Sequence, residues 1–122
     1  MAAPNLVNVS SIYGKTMGAA LSTTTTTSLL ANASGSNKLL KINSIIVSNV
    51  DGSNAADATI SWYNGTTDYR LARTVAVPAD STLVVIGKDA PIYLEENHSI
   101  RGGASAASDL EIVISYDELD DA

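Results

Sequence analysis

From Leu39 to Tyr116 the chain is a succession of short runs rich in Val, Ile, Thr and Tyr, each closed by a cluster of turn formers. The clusters are Asp51-Gly52-Ser53-Asn54, Asn64-Gly65, Pro78-Ala79-Asp80 and Gly102-Gly103. β-Branched and aromatic side chains suit a half-buried pleated surface, and Gly, Pro, Asn and Asp supply the backbone angles that reverse a strand. The spacing of runs and turns therefore predicts an all-β chain.

The strands follow from the pattern. Extended runs are expected at Met17 to Leu21, Thr26 to Asn32, Lys38 to Asn49, Ala58 to Tyr63, Asp68 to Val77, Thr82 to Ile86, Ile92 to Leu94, His98 to Gly103 and Leu110 to Asp117. In the longest, Leu40, Ile42 and Ile46 share one face and Ile45 and Val47 the other, so its later half is apolar on both sides and belongs in the middle of a sheet. Ala58, Ile60 and Trp62 alternate with Thr59, Ser61 and Tyr63, which makes Trp62 a candidate core anchor. Leu110, Ile112, Ile114 and Tyr116 alternate with Glu111, Val113, Ser115 and Asp117. The expected core is Leu40, Ile42, Ile46, Trp62, Leu71, Val75, Leu110, Ile112 and Ile114. At 122 residues there is room for one domain, and two packed layers are the stable solution for such strands. The expected fold is an antiparallel β-sandwich, jelly-roll-like, spanning residues 15–118. Residues 1–14, with Pro4 and no clean apolar face, form an extended N-terminal arm, and residues 119–122 an acidic C-terminal tail.

Composition removes several function classes. There is no cysteine, so thiol chemistry and thiolate metal sites are excluded and the fold can mature in a reducing compartment. Thirteen acidic against seven basic side chains give a net charge of −6, which repels phosphate backbones and argues against nucleic-acid binding. Residues 1–5 lack the basic and apolar runs of a secretory signal, and no stretch is apolar enough to span a membrane. The Asn-x-Ser/Thr triplets at Asn8, Asn32, Asn64 and Asn97 read as chance in a chain rich in these residues.

Candidates for chemistry are few. The one histidine, His98, flanks a polar turn with Glu95, Glu96 and Asn97, and no Gly-x-Ser-x-Gly elbow frames a nucleophile. Adjacent Glu95 and Glu96 point to opposite sides of an extended chain and do not make a carboxylate pair. Asp51 to Asp57 is oxygen-rich but lacks the alternating acids and closing Glu of an EF-hand. Arg70, Arg73 and Arg101 read as scattered surface charge, and Thr23 to Thr27 as an extended polar edge or linker. No catalytic, cofactor-binding or metal-binding residue is assigned, and no cofactor is expected.

Two longer stretches carry a family likeness. Lys41-Ile42-Asn43-Ser44-Ile45-Ile46-Val47-Ser48-Asn49-Val50-Asp51-Gly52, followed by Ala55 to Asp57 and Val75-Ala76-Val77-Pro78-Ala79-Asp80-Ser81-Thr82-Leu83, resembles small virion proteins of tailed bacteriophages, cyanophages among them. So do Ile92 to Arg101 and Asp109 to Glu118. The resemblance implies a non-enzymatic structural protein of the virion, with capsid decoration or cement as the leading role. It implies the major capsid protein and further copies of the chain, as a homo-oligomer such as a trimer, as partners, and the capsid surface as location after synthesis in the host cytoplasm. A tail, baseplate or fibre component is the alternative within the virion. From the residues alone, a carbohydrate-binding module using Trp62, Tyr63 and Tyr69 as a stacking platform stays open.

Overall fold

The computed structural model describes residues 11–23 and 27–120. They form nine strands: β1 (Ser11–Ala20), β2 (Thr27–Ala31), β3 (Lys38–Asn49), β4 (Ala56–Tyr63), β5 (Asp68–Val77), β6 (Thr82–Ile86), β7 (Ile92–Leu94), β8 (Ser99–Ala104) and β9 (Leu110–Asp120). Every pairing is antiparallel.

One sheet runs β1-β9-β3-β6, with β7 also on β3; the other runs β2-β8-β4-β5. Strands β6 and β7 share one edge of β3, β6 opposite Ile45 to Ser48 and β7 opposite Leu40 to Ile42. Counted as one interrupted strand, they leave eight strands whose order across two sheets is that of a jelly roll. Between the sheets lies an aliphatic core that includes Leu40, Ile42, Ile45, Val47, Ile60, Leu94, Ile100, Leu110, Ile112 and Ile114, all buried.

Local irregularities correct the expected core. In β3, Ile42 pairs with Tyr116 and Ser44 with Ser115, so Asn43 is an extra residue that β9 does not match. Such a bulge reverses the alternation beyond it. Leu40 and Ile42 point inward before it, Ile45 and Val47 after it, and Ile46 is turned to the outer face, away from the core. In β5, Arg73 and Thr74 stand against the single Thr59, with Thr74 at a φ of 46° and its N–H donated to Thr59 Oγ1 at 3.0 Å. Val75 beyond it stands opposite buried Ala58, with the parity of buried Val77, yet on this edge strand it is 36% exposed. Trp62 and Leu71 are half-buried at the border of the core, so Trp62 does not anchor it.

Both ends of the domain also differ from the pattern-based boundaries. Ser11 to Gly14 belong to β1 and pair with Asp120 to Asp117; residues 1–10 of the expected arm lie outside the described residues. At the other end β9 continues to Asp120, with Leu119 buried and Glu118 bound by Lys15 at 3.3 Å and Lys38 at 3.4 Å. Two residues of the expected acidic tail are thus strand, and residues 121–122 lie outside the described residues. Thr23 is a bend, Thr27 opens β2, and residues 24–26 of the threonine run likewise lie outside.

Candidate interaction surface

Polar side chains that could do chemistry are committed to holding turns. His98 Nδ1 accepts the Glu95 N–H at 3.2 Å, which leaves the proton of a neutral ring on Nε2. Its ring meets Trp62 edge-on, with centroids 5.3 Å apart. Glu96 is buried, and its Oε2 accepts the Asn37 N–H at 2.7 Å. Asn32 is buried as well: its Nδ2 donates to the Lys38 and Leu94 carbonyls at 2.8 and 2.9 Å, while its Oδ1 accepts from Ser36. These bonds fasten the β2–β3 and β7–β8 turns to each other, and an amide so used is closed to glycosylation. Glu95, Glu96 and His98 are near in sequence but converge on no common point of reaction.

The opposite end of the sandwich gathers the acids. Asn49, buried, donates to the Asn54 and Val77 carbonyls and accepts the Asp51 N–H. Asp51 in turn accepts the Ser53 N–H at 2.8 Å. That bond is the main reason the Asp51 carboxyl lies below its ordinary pKa of 3.8. Val50 donates to the Asp109 carbonyl at 2.8 Å, and Gly52 lies beside the Asp80 carboxylate. Asp51, Asp57, Asp80, Asp109 and Glu111 therefore share one end, whose connecting loops contain no Lys or Arg. Among the described residues no three His, Asp or Glu side chains group so as to hold a metal ion. The Asp51 to Asp57 segment is a hydrogen-bonded turn.

The aromatic group is divided between two faces. Trp62 stacks on Tyr69 with centroids 5.7 Å apart, and its Nε1 is buried with no hydrogen-bond partner among the described residues. Tyr63 lies beneath the Arg101 guanidinium at 3.5 Å. Neighbours in β4 point to opposite sides, so Trp62, Tyr63 and Tyr69 do not form one platform. Arg101 also meets Asp68 at 3.6 Å, whereas Arg70 and Arg73 are exposed on β5. Arg70 and Arg101 flank Ser61 in one row, with Arg101 tied to Asp68.

What remains is surface. Across the outer face of the first sheet, strand register aligns Val84, Ile46, Val113 and Gly18 in one row. Val84 is 60% exposed and Val113 37%. Hydroxyl rows flank it, Thr82 with Ser48 on one side and Ser44, Ser115 and Thr16 on the other. The Thr82–Ser48 row continues into exposed Glu111, so the uncharged part of this face is the Val84-to-Gly18 row with the Ser44, Ser115 and Thr16 row beside it. The alternation places Ile46 inward and hides this strip; the bulge at Asn43 reveals it.

No protein-family model matches the chain. No curated protein matches it. Two crystal structures of a pentameric capsid protein isolated from metagenomic phage sequences are similar to it. One is 16% identical over 97% of this chain and 64% of the other, with a TM-score of 0.39. The second is 17% identical over 97% and 68%, with a TM-score of 0.38. The chain thus spans about two thirds of their length. Superpositions at this level are reached by unrelated all-β chains, so the likeness assigns neither a family nor a function.

Proposed function

We propose that the chain is a structural protein of the tailed-phage virion, and within it a capsid decoration (cement) protein that binds across joints between major capsid subunits. It acts by adhesion and not by catalysis. The single observation carrying this reading is the sequence resemblance to small phage virion proteins. Its stretches supply most of β3 and β9, all of β7, half of β8 and the joint between β5 and β6. What supports it physically is the distribution of polar groups: amide and charged side chains of the turns such as Asn32, Asn49 and Glu96 are spent on structure, while a strip of apolar and hydroxyl side chains is left outward. The jelly-roll topology is compatible with it but also serves lectins and cupins, so fold analogy adds little.

A cement protein gains affinity by binding assembled shells and not free subunits, and many equivalent copies multiply modest contacts. Residues 1–10, preceding β1, are the proposed added contact. The test is cosedimentation of purified protein with assembled capsids, comparing the full chain with a chain lacking residues 2–10. Saturable binding that the deletion weakens by about 10-fold or more, roughly 1.4 kcal/mol, is expected. Failure of the full chain to bind capsids would overturn the function; equal binding by both chains would overturn the arm's role.

A further inference from the structure

The two sheets have four outer edges, formed by β1, by β6 with β7, by β2 and by β5, and they are not alike. Edge strands with free N–H and C=O groups invite pairing, and proteins blunt them by shortness, bulges, proline or lysine. Strand β2 has five residues and a register shift, β6 has five residues and a shift, and β5 carries two shifts. Strand β1 has ten residues in unbroken register with β9, without proline, and among the described residues nothing pairs with its other edge. Its one lysine is no guard, because Lys15 is drawn back onto Glu118 of β9. Two large apolar side chains also stand exposed on it, Ile12 at 61% and Tyr13 at 50%.

We propose that two copies of this chain join through β1, edge to edge and antiparallel about a two-fold axis, extending the first sheet across the dimer. The proposal rests on the reading above that many copies act together, and not on any place in a virion. A two-fold axis normal to the sheet keeps inner faces on one side, so residues that meet must share parity. A register centred on Lys15 would oppose two ammonium groups. Centring on Thr16 pairs the nine residues Ile12 to Ala20 and opposes no like charges. It sets Tyr13 against Ala19, Lys15 against Met17 and Gly14 against Gly18. It also sets Ile12 against Ala20 of the partner subunit, at an open depression of about 260 Å³ lined by Gly18, Ala20, Glu111 and Val113 among others. The side chain left most exposed on β1 thereby meets a space without one. Since the contact consumes the unguarded edge, association by this route stops at two.

Because Thr16 faces itself across the axis, a charge there reads the register directly. Sedimentation equilibrium of the full chain, up to about 1 mM as a match to the local concentrations of tethered arrays, should show monomer and dimer. T16K and T16E should each weaken the dimer about 10-fold or more, and their equimolar mixture should recover it as a heterodimer. Thr16 is exposed, so both variants should melt close to the parent in circular dichroism; should either misfold, Ile12→Ser serves as the second probe and should weaken the dimer. A parent chain that stays monomeric, association that ignores these substitutions, a mixture that fails to recover, or growth past the dimer would each overturn the proposal. Capsid binding is scored separately: a monomeric chain that still coats capsids removes the β1 contact and leaves the function standing, and a dimer that ignores capsids does the reverse.

Discussion

Replacing Ile45 by alanine should destabilise the domain far more than the same change at its neighbour Ile46, although the two are chemically identical and adjacent. Ile45 is fully buried beside Ile114, and Ile46 lies on the outer face between Val84 and Val113. Ile→Ala removes three carbon groups, worth about 0.8 kcal/mol each when fully buried. The unfilled space left in a tight core raises the total to roughly 3–4 kcal/mol. At Ile46 the groups leave a partly solvated surface and the cost is about 1 kcal/mol or less. For a chain of 122 residues the unfolding entropy is about 0.26 kcal/mol per kelvin. Ile45→Ala should therefore lower Tm by about 12–15 °C and Ile46→Ala by about 4 °C or less. Thermal melts followed by circular dichroism, backed by urea titration, measure both. Equal losses, or the larger loss at Ile46, would refute the bulge at Asn43 and with it the outward apolar row of Val84, Ile46 and Val113.

Gly102→Ala should cost about 1–3 kcal/mol in the same melts, because the added Cβ would sit 2.6 Å from Cδ1 of buried Ile60 and 3.0 Å from the Thr59 carbonyl. Gly14→Ala is its control: the nearest atom is 3.8 Å away and φ is ordinary, so Tm should hold or rise slightly. Asp51 gives a pH signature. Its folded pKa is depressed, so its stabilising effect is present above the unfolded value and is lost as pH falls through the folded one. Asp51→Asn should flatten the acid limb of Tm against pH below about pH 4, and only slightly, since the carboxylate is exposed; identical acid limbs would remove the assigned role of the Ser53 bond.

Much of the architecture was legible because alternation and turn chemistry act locally. Lys38–Asn49, Asp68–Val77, Thr82–Ile86 and Ile92–Leu94 appear with the boundaries expected from pattern. What alternation cannot register is an inserted residue. Asn43 carries no signal that separates it from an ordinary strand residue, yet it reverses the side chains beyond it and turns Ile46 outward. Val75 has inward parity opposite Ala58, but β5 is the last strand of its sheet and leaves it partly uncovered, which alternation does not register. Trp62 failed differently: its parity is inward, but it lies near the end of β4, packed against the border of the core with Tyr69 and His98 on its ring. Asn64-Gly65 does reverse the chain, though through a loop in which Gly65 alone takes positive φ and Asn64 Oδ1 accepts from Thr66 and Thr67. The ends were hidden because Ser11 to Gly14 and Asp117 to Asp120 show no clean alternation and draw their order from each other, a pairing across the length of the chain.

The most direct measurement is the number of copies of this chain in a purified virion, taken by quantitative mass spectrometry and located by particle reconstruction. A protein that cements the shell should be present in proportion to the major capsid protein and visible over its joints. A handful of copies confined to the tail, or none in the particle, would contradict that role.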